Sequence, residues 1–155
     1  MFYRTQRSFR LSGSILILLS GAGLWAQRAK EPVDEVNPNI GGIGHLLQPT
    51  SPLVQLPHGM ARLAPVTTPG VTDRYLADKI YGFPAGGVVM MPTSGALETE
   101  PARFASEYDH DLETATPYYG AQLLENYDIR AEYTAARRAA YYRFTYPAAA
   151  PARIL

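Results

Sequence analysis

Six prolines between residues 36 and 69 limit what the first half of this chain can fold into. They stand at positions 38, 49, 52, 57, 65 and 69. Because proline lacks a backbone N–H and clashes with the preceding helical turn, prolines at this spacing exclude any long helix here. Only short extended pieces fit between them, and residues 53–56 and 60–63 suit that role. The region is therefore predicted to be rich in turns that display their side chains.

The last third of the chain carries the clearest strand signal. Residues 129–134 alternate apolar and polar side chains at a period of two, as a strand with one solvent-facing side does. Residues 119–124 and the aromatic-rich residues 141–146 indicate a strand on either side, with turns near 125–128 and 135–138. Such a series is an antiparallel meander. The predicted fold class is therefore all-β, an antiparallel β-sandwich.

Two further apolar runs extend this pattern. Residues 87–91 are predicted to form a buried strand that ends at Pro92. Residues 153–155 look like the opening of another strand, at the last positions of the sequence. We therefore expect the sandwich to be incomplete and the sequence to be the front part of something longer.

The first 26 residues are typical of a secretory signal peptide. Arg4, Arg7 and Arg10 give a basic start, an apolar run follows, and Ala26 offers a small residue at a cleavage point. An uncleaved anchor helix is the alternative, but the run is short for a membrane span of roughly 20 residues. We expect a signal peptide at 1–26, a linker at 27–35 and a domain at 36–155. The product would be secreted or periplasmic, with no membrane contact after cleavage.

Charge and cysteine content narrow the classes of partner. The full sequence has 14 basic and 14 acidic residues, and cleavage would remove three arginines and no acids. The remaining slight negative charge argues against a nucleic-acid partner. No cysteine is present, so a hydrophobic core rather than a disulfide framework must hold the domain, and no cysteine is available for lipid attachment.

Two places concentrate residues that can carry chemistry. Gly44 and His45 close a glycine-rich stretch in which backbone can approach a ligand closely. His110 and Glu113 belong to the densest titratable cluster, residues 109–113, which could be a metal site or an acid/base pair. A solvated loop is the default for such a cluster, because adjacent side chains of an extended chain cannot converge without a turn. His58 is interpreted as structural, within a Pro-His-Gly turn.

The tyrosine and phenylalanine residues of the last third have two interpretations. They could form a platform on which sugars stack. Alternation along the strands instead predicts that most of them lie in the core or in cross-strand pairs, with tyrosine hydroxyls at the rim. We favour the core. The Arg137–Arg138 pair lies in a predicted turn and needs no ligand to explain it.

An ordered series of short motifs resembles the N-terminal β-sandwich domain of glycoside hydrolase family 92, the secreted α-mannosidases. The matching segments are 36–41 (Val-Asn-Pro-Asn-Ile-Gly), 44–45 (Gly-His), 57–60 (Pro-His-Gly-Met), 81–83 (Tyr-Gly-Phe), 90–93 (Met-Met-Pro-Thr), 109–119 and 142–147. Each segment alone is weak, but their order over most of residues 36–155 is specific.

The resemblance implies a supersandwich of the galactose-mutarotase-like type that packs against an (α/α)6 barrel. The barrel would supply the acid, the base and most contacts to calcium for inverting hydrolysis of α-mannoside glycans. This chain would then contribute no catalytic residue and no metal or cofactor site, and would be inactive alone. Gly44, His45, His110 and Glu113 would face the substrate or the barrel. A freestanding carbohydrate-binding module and a structural or interaction module are the alternatives.

Two departures from the family pattern are visible. The family commonly carries histidines after the Gly-Phe pair, whereas residues 84–87 here are Pro-Ala-Gly-Gly. The tryptophan that commonly helps to bind substrate in this domain has no counterpart, since Trp25 lies in the predicted signal peptide. The sequence therefore leaves the substrate preference open.

Overall fold

The computed structural model describes residues 29–41, 52–67 and 77–155, and within these ranges the chain is built almost entirely of strands. The strands are β1 (Val66–Thr67), β2 (Lys79–Ala85), β3 (Val88–Met90), β4 (Pro92–Thr93), β5 (Ser106–Glu107), β6 (Thr114–Ala115), β7 (Tyr119–Leu124), β8 (Ile129–Ala135), β9 (Ala140–Thr145) and β10 (Arg153–Ile154). In the described ranges, helical structure consists of two 3₁₀ turns, Pro32–Glu35 and His110–Leu112, and the single-turn helix α1, Pro101–Phe104. The all-β prediction is confirmed. No helix in these ranges has the length and apolar character that crossing a membrane requires.

The last third forms a four-stranded antiparallel sheet in the order β6–β7–β8–β9. Strand β7 has the predicted bounds, and the bounds of β8 and β9 differ from the prediction by one residue. Alternation is visible in β8, where Ile129, Ala131 and Tyr133 are buried while Arg130 and Thr134 are exposed. One face of this meander therefore points to the core and the other points outward.

The first half centres on β2, which pairs antiparallel with β1, β3 and β5. An isolated bridge between Val54 and Leu63 joins the two short extended pieces that the sequence predicts. The prediction of a buried strand at 87–91 is wrong about burial, because Val88 and Val89 of β3 are 63% and 49% exposed. Among the described residues β3 pairs only with β2, so it is an edge strand whose outer side chains nothing covers.

The sequence predicts that the strand ends at Pro92, and this prediction is wrong. Pro92 and Thr93 form β4 and pair antiparallel with β10, whose opening the sequence indicates at residue 153. Both β4 residues are buried. Proline is tolerated there because β4 is short and pairs on one side with β10 in the described structure.

Phe83 of β2 connects the two halves. It is fully buried, and its ring lies 5.9, 6.1 and 5.8 Å from the rings of Tyr133, Tyr142 and Phe144. Tyr142 adds a polar link, since its hydroxyl donates to the Pro84 carbonyl at 2.5 Å. Burial raises the pKa of Tyr142 to about 12, so the phenol remains a neutral donor at physiological pH. The β2 strand and the meander thus share one aromatic core.

The aromatic side chains of the last third are mostly in that core, as predicted. Tyr133 is buried, and the residues that pack against the cluster include Tyr127, Tyr142, Phe144 and Tyr146. Two tyrosines depart from the prediction. Tyr141 is 61% exposed and Tyr118 is 38% exposed. Tyr141 lies on the outer side of β9 because it is out of phase with Tyr142 and Phe144.

Gly120 of β7 packs against the Tyr133 ring. It lies opposite Tyr133 in the β7–β8 register. A Cβ at this position would overlap three atoms of the Tyr133 side chain, namely Cζ, Cε2 and the hydroxyl oxygen. The Tyr133 ring therefore packs directly on the backbone of β7, which only glycine permits.

Replacing Gly120 by alanine should destabilise the domain, because the strand or the Tyr133 ring must shift. The expected loss is about 1–3 kcal/mol in the free energy of unfolding, measured by denaturant titration. In a Tyr133→Leu background the ring is gone, and the same substitution should cost much less. An equal cost in both backgrounds would show that the ring contact is not the cause.

Candidate functional site

The titratable cluster at residues 109–113 forms a tight turn rather than an extended strand. Residues His110–Leu112 make a 3₁₀ turn, and Asp109 caps it by accepting a hydrogen bond from the Asp111 backbone N–H at 2.8 Å. The side chain of Asp109 is thereby engaged with its own backbone. Asp109 and Asp111 are exposed, whereas His110 and Glu113 are half-buried. The turn that convergence of these side chains requires is present.

His110 is held from two sides. Its Nε2 lies 3.0 Å from the carbonyl oxygen of Ala77, two residues before β2 begins, and its ring meets the Tyr108 ring edge-on with the centroids 4.6 Å apart. Because a carbonyl oxygen only accepts, Nε2 must carry the proton in this contact. His110 is therefore a positioned side chain.

Glu113 follows the turn and leads into β6. It is half-buried, and its Oε2 atom is shielded from solvent. Within the described ranges, no three His, Cys, Asp or Glu side chains approach closely enough to hold a metal ion. The calcium that the resemblance implies for a whole enzyme stays a prediction, as does the role of Glu113 at an interface.

Gly44 and His45 lie outside the described residues, so their predicted role stays a prediction. The Pro-His-Gly turn is described and has the structural character that the sequence indicates. His58 has a φ of +56°, and the Gly59 N–H donates to the Leu56 carbonyl at 2.8 Å to close the turn. Proline before a residue of positive φ is typical of a type II turn. The next residue, Met60, donates its N–H to the Arg137 carbonyl at 2.8 Å.

The outer face of the meander holds a polar cluster that the sequence does not reveal. Glu132 of β8 is only 8% exposed. Arg143 of β9 donates two hydrogen bonds to its carboxylate, from Nε to Oε2 at 2.6 Å and from Nη2 to Oε1 at 2.7 Å. The Tyr119 hydroxyl of β7 donates to Oε1 at 2.6 Å. The cluster thus spans three strands, because the register places Glu132 directly opposite Arg143.

These contacts decide what Glu132 can do. Hydrogen bonds from Arg143 and then from Tyr119, together with the Arg143 charge, lower its pKa from the ordinary 4.5 to about 2. A carboxyl that is ionised at neutral pH has no proton to give, so it cannot serve as a general acid. Its two oxygens already accept hydrogen bonds from three donor groups, so the carboxylate is also poorly suited to act as a base. The cluster therefore holds three strands together, and we call it the Glu132 clamp. It could be predicted from the sequence only if the strand register were known.

Comparison with protein families matches residues 35–155 to the glycosyl hydrolase family 92 N-terminal domain. Among solved structures, the chain is similar to a family 92 α-mannosidase from Bacteroides thetaiotaomicron, with 28% sequence identity and a TM-score of 0.63. That match covers 74% of this chain and 18% of that chain. No curated protein matches the chain.

A second solved structure, a family 92 inverting mannosidase from the same organism, matches with a TM-score of 0.66. The identity is 24%, so this likeness shows the fold alone; it covers 81% of this chain and 20% of that chain. The chain therefore spans about a fifth of the length of these relatives.

Acid should weaken the clamp through Glu132. Its folded-state pKa lies below the unfolded value, so its contribution to stability is present above about pH 4.5 and is lost as pH falls towards 2. We expect Glu132→Gln to lower the free energy of unfolding by about 1 kcal/mol at pH 7, since Arg143 is largely solvated. The gap to the wild type should close near pH 2.

Thermal unfolding from pH 7 to pH 2 measures this gap. Glu125→Gln is the control, because Glu125 is an exposed turn residue, and it should leave the pH profile unchanged. A constant gap between Glu132→Gln and the wild type at all pH values would contradict the clamp.

Proposed function

Because the chain belongs to the family of glycosyl hydrolase family 92 N-terminal domains, we propose that it is the non-catalytic β-sandwich of an α-mannosidase-like glycoside hydrolase. It would pack against a separate (α/α)6 catalytic domain and help to position α-mannoside glycans there. The observation that carries this proposal is the family match over residues 35–155, which includes the turn at 109–113. The α-mannosidase activity of a solved relative supports the class of substrate.

Glu132 and His110 both suit a supporting role better than a catalytic one. Inverting hydrolysis needs two carboxyl groups about 6.5–9.5 Å apart, one as acid and one as base. Glu132 is bound to Arg143 and held ionised, so it is unsuited to the acid role. His110 instead has a fixed ring on a capped turn, as a group that orients a substrate or braces a neighbouring domain requires.

The proposal also includes export of the protein from the cytoplasm. The basic start and apolar run of residues 1–26 support secretion or a periplasmic location, where extracellular glycans are met. Calcium would act in the catalytic domain. Gly44 and His45 would join His110 and Glu113 on the side that faces substrate.

The test is release of mannose from α-mannosides, with calcium or with a chelator. The chain alone should release none, and the chain co-expressed with a family 92 catalytic domain should release mannose only with calcium. Glu113→Gln and His110→Gln should each lower the rate by about 10- to 100-fold through misplacement of the substrate. Glu125→Gln, an exposed control, should leave it unchanged.

Two results would contradict the proposal. Release of mannose by the purified chain alone would show that it is catalytic. No release from a stable complex of the two folded domains would exclude the mannosidase role. Direct binding of mannosides by the chain alone, with no effect on a catalytic domain, would favour a freestanding carbohydrate-binding module.

A further inference from the structure

Three backbone turns lie beside one another on the surface. The Leu56–Gly59 turn is tied to the β8–β9 hairpin by the hydrogen bond from Met60 N–H to the Arg137 carbonyl. The β2–β3 hairpin contributes Pro84 and Gly86 beside them. Two clefts open here, of about 340 and 500 Å³, and they adjoin because Met60 and Arg138 line both. Volumes of this order are typical of sites for small molecules.

The charged side chains that line these clefts are all basic among the residues that the structure describes. Arg62 and Arg138 line the smaller cleft, while His58, Arg137 and Arg138 line the larger. No Asp or Glu of the described ranges lines either cleft. The whole sequence has equal numbers of basic and acidic residues, so this excess of arginine is local to the clefts.

The three arginines also lack partners in the described structure. None of the guanidinium groups of Arg62, Arg137 and Arg138 makes a hydrogen bond or an ion pair with another described residue. This contrasts with Arg143, whose guanidinium is bound to Glu132 by two hydrogen bonds. All three arginines are exposed, so their guanidinium groups are available to an anionic ligand.

The rest of the lining is apolar. Six residues of this kind contribute to the smaller cleft: Met60, Ala61, Leu63, Pro84, Ala139 and Ala140. Met60 is 76% exposed, so its side chain is accessible to a ligand in either cleft. An apolar wall beside cationic groups suits a ligand that has both an anionic group and a compact body with an apolar face.

We propose that the adjoining clefts bind a small ligand that carries an oxyanion, a carboxylate or a phosphate, on a sugar-sized body. The guanidinium groups of Arg62, Arg137 and Arg138 hold the oxyanion, because their planar arrays of N–H donors match its geometry. Met60 and its apolar neighbours contact the body of the ligand. The proposal is independent of mannoside positioning, since it uses neither His110 nor Glu113.

Calorimetric titration of the full chain tests this assignment with four probes. They are glucose 6-phosphate, glucuronate, inorganic phosphate and uncharged methyl glucoside. At least one charged sugar should bind at least about tenfold more tightly than both the neutral sugar and inorganic phosphate, because only it uses both parts of the site. The tighter of the two charged sugars identifies the oxyanion.

Single substitutions locate the site. Arg62→Gln and Arg138→Gln should each weaken binding of that sugar by about tenfold or more, since each removes charge-assisted hydrogen bonds. Arg138→Lys should keep part of the affinity, because the charge remains and the planar fork is lost. Arg103→Gln is the control, an exposed arginine of α1 near Glu98, and should change nothing. Thermal unfolding confirms that each variant folds.

Several outcomes would overturn the proposal. One is the absence of saturable binding of either charged sugar at millimolar concentration. Another is equal binding of methyl glucoside, which would show that charge is irrelevant. Equal binding of inorganic phosphate would remove the apolar wall from the site. An equal loss in Arg103→Gln would show non-specific attraction, and unchanged affinity in both Arg62→Gln and Arg138→Gln would place the ligand elsewhere.

Discussion

The packing of Phe83, a residue of β2, against the meander is the interaction on which the rest of the structure depends. Full burial of such a side chain contributes about 1.5–3 kcal/mol, and its contacts with three other rings add to this. Without cysteine, no covalent bridge can replace this contact. A second tether lies in the backbone, where the Glu125 N–H donates to the Glu107 carbonyl at 3.0 Å. Phe83 therefore sets how β2 lies on the meander.

That placement determines what the surface can present. With β2 held against β8 and β9, the β2–β3 hairpin comes beside the β8–β9 turn, and the arginine-lined clefts form where they meet. The segment that leads into β2 meanwhile brings the Ala77 carbonyl to His110. The outer face of the meander is left to the Glu132 clamp. Packing on one face thus allows polar chemistry on the turns and on the other face.

The sequence predicts those features that depend on the order of residues within one short segment. The period-two alternation of β8 and the proline and glycine turns yield the meander and the fold class, and the ordered motifs indicate the family. Contacts set by register or by turn–turn packing could not be predicted. Glu132 and Arg143 are 11 residues apart in sequence. Arg62 and Arg138 line one cleft, beside the place where the Met60 N–H binds the β8–β9 hairpin. The exposure of β3 could not be predicted, because an apolar run does not show whether a neighbouring strand or loop covers its side chains.

The coupling between Phe83 and Phe144 most directly measures whether β2 and the meander share one core. A double-mutant cycle with Phe83→Leu and Phe144→Leu, followed by denaturant unfolding, gives this quantity. The ring contact predicts a coupling free energy of about 0.5–1.5 kcal/mol, since losing either ring removes the aromatic pair. Additivity of the two substitutions, together with small individual losses, would contradict a shared core and the placement of every site built on it.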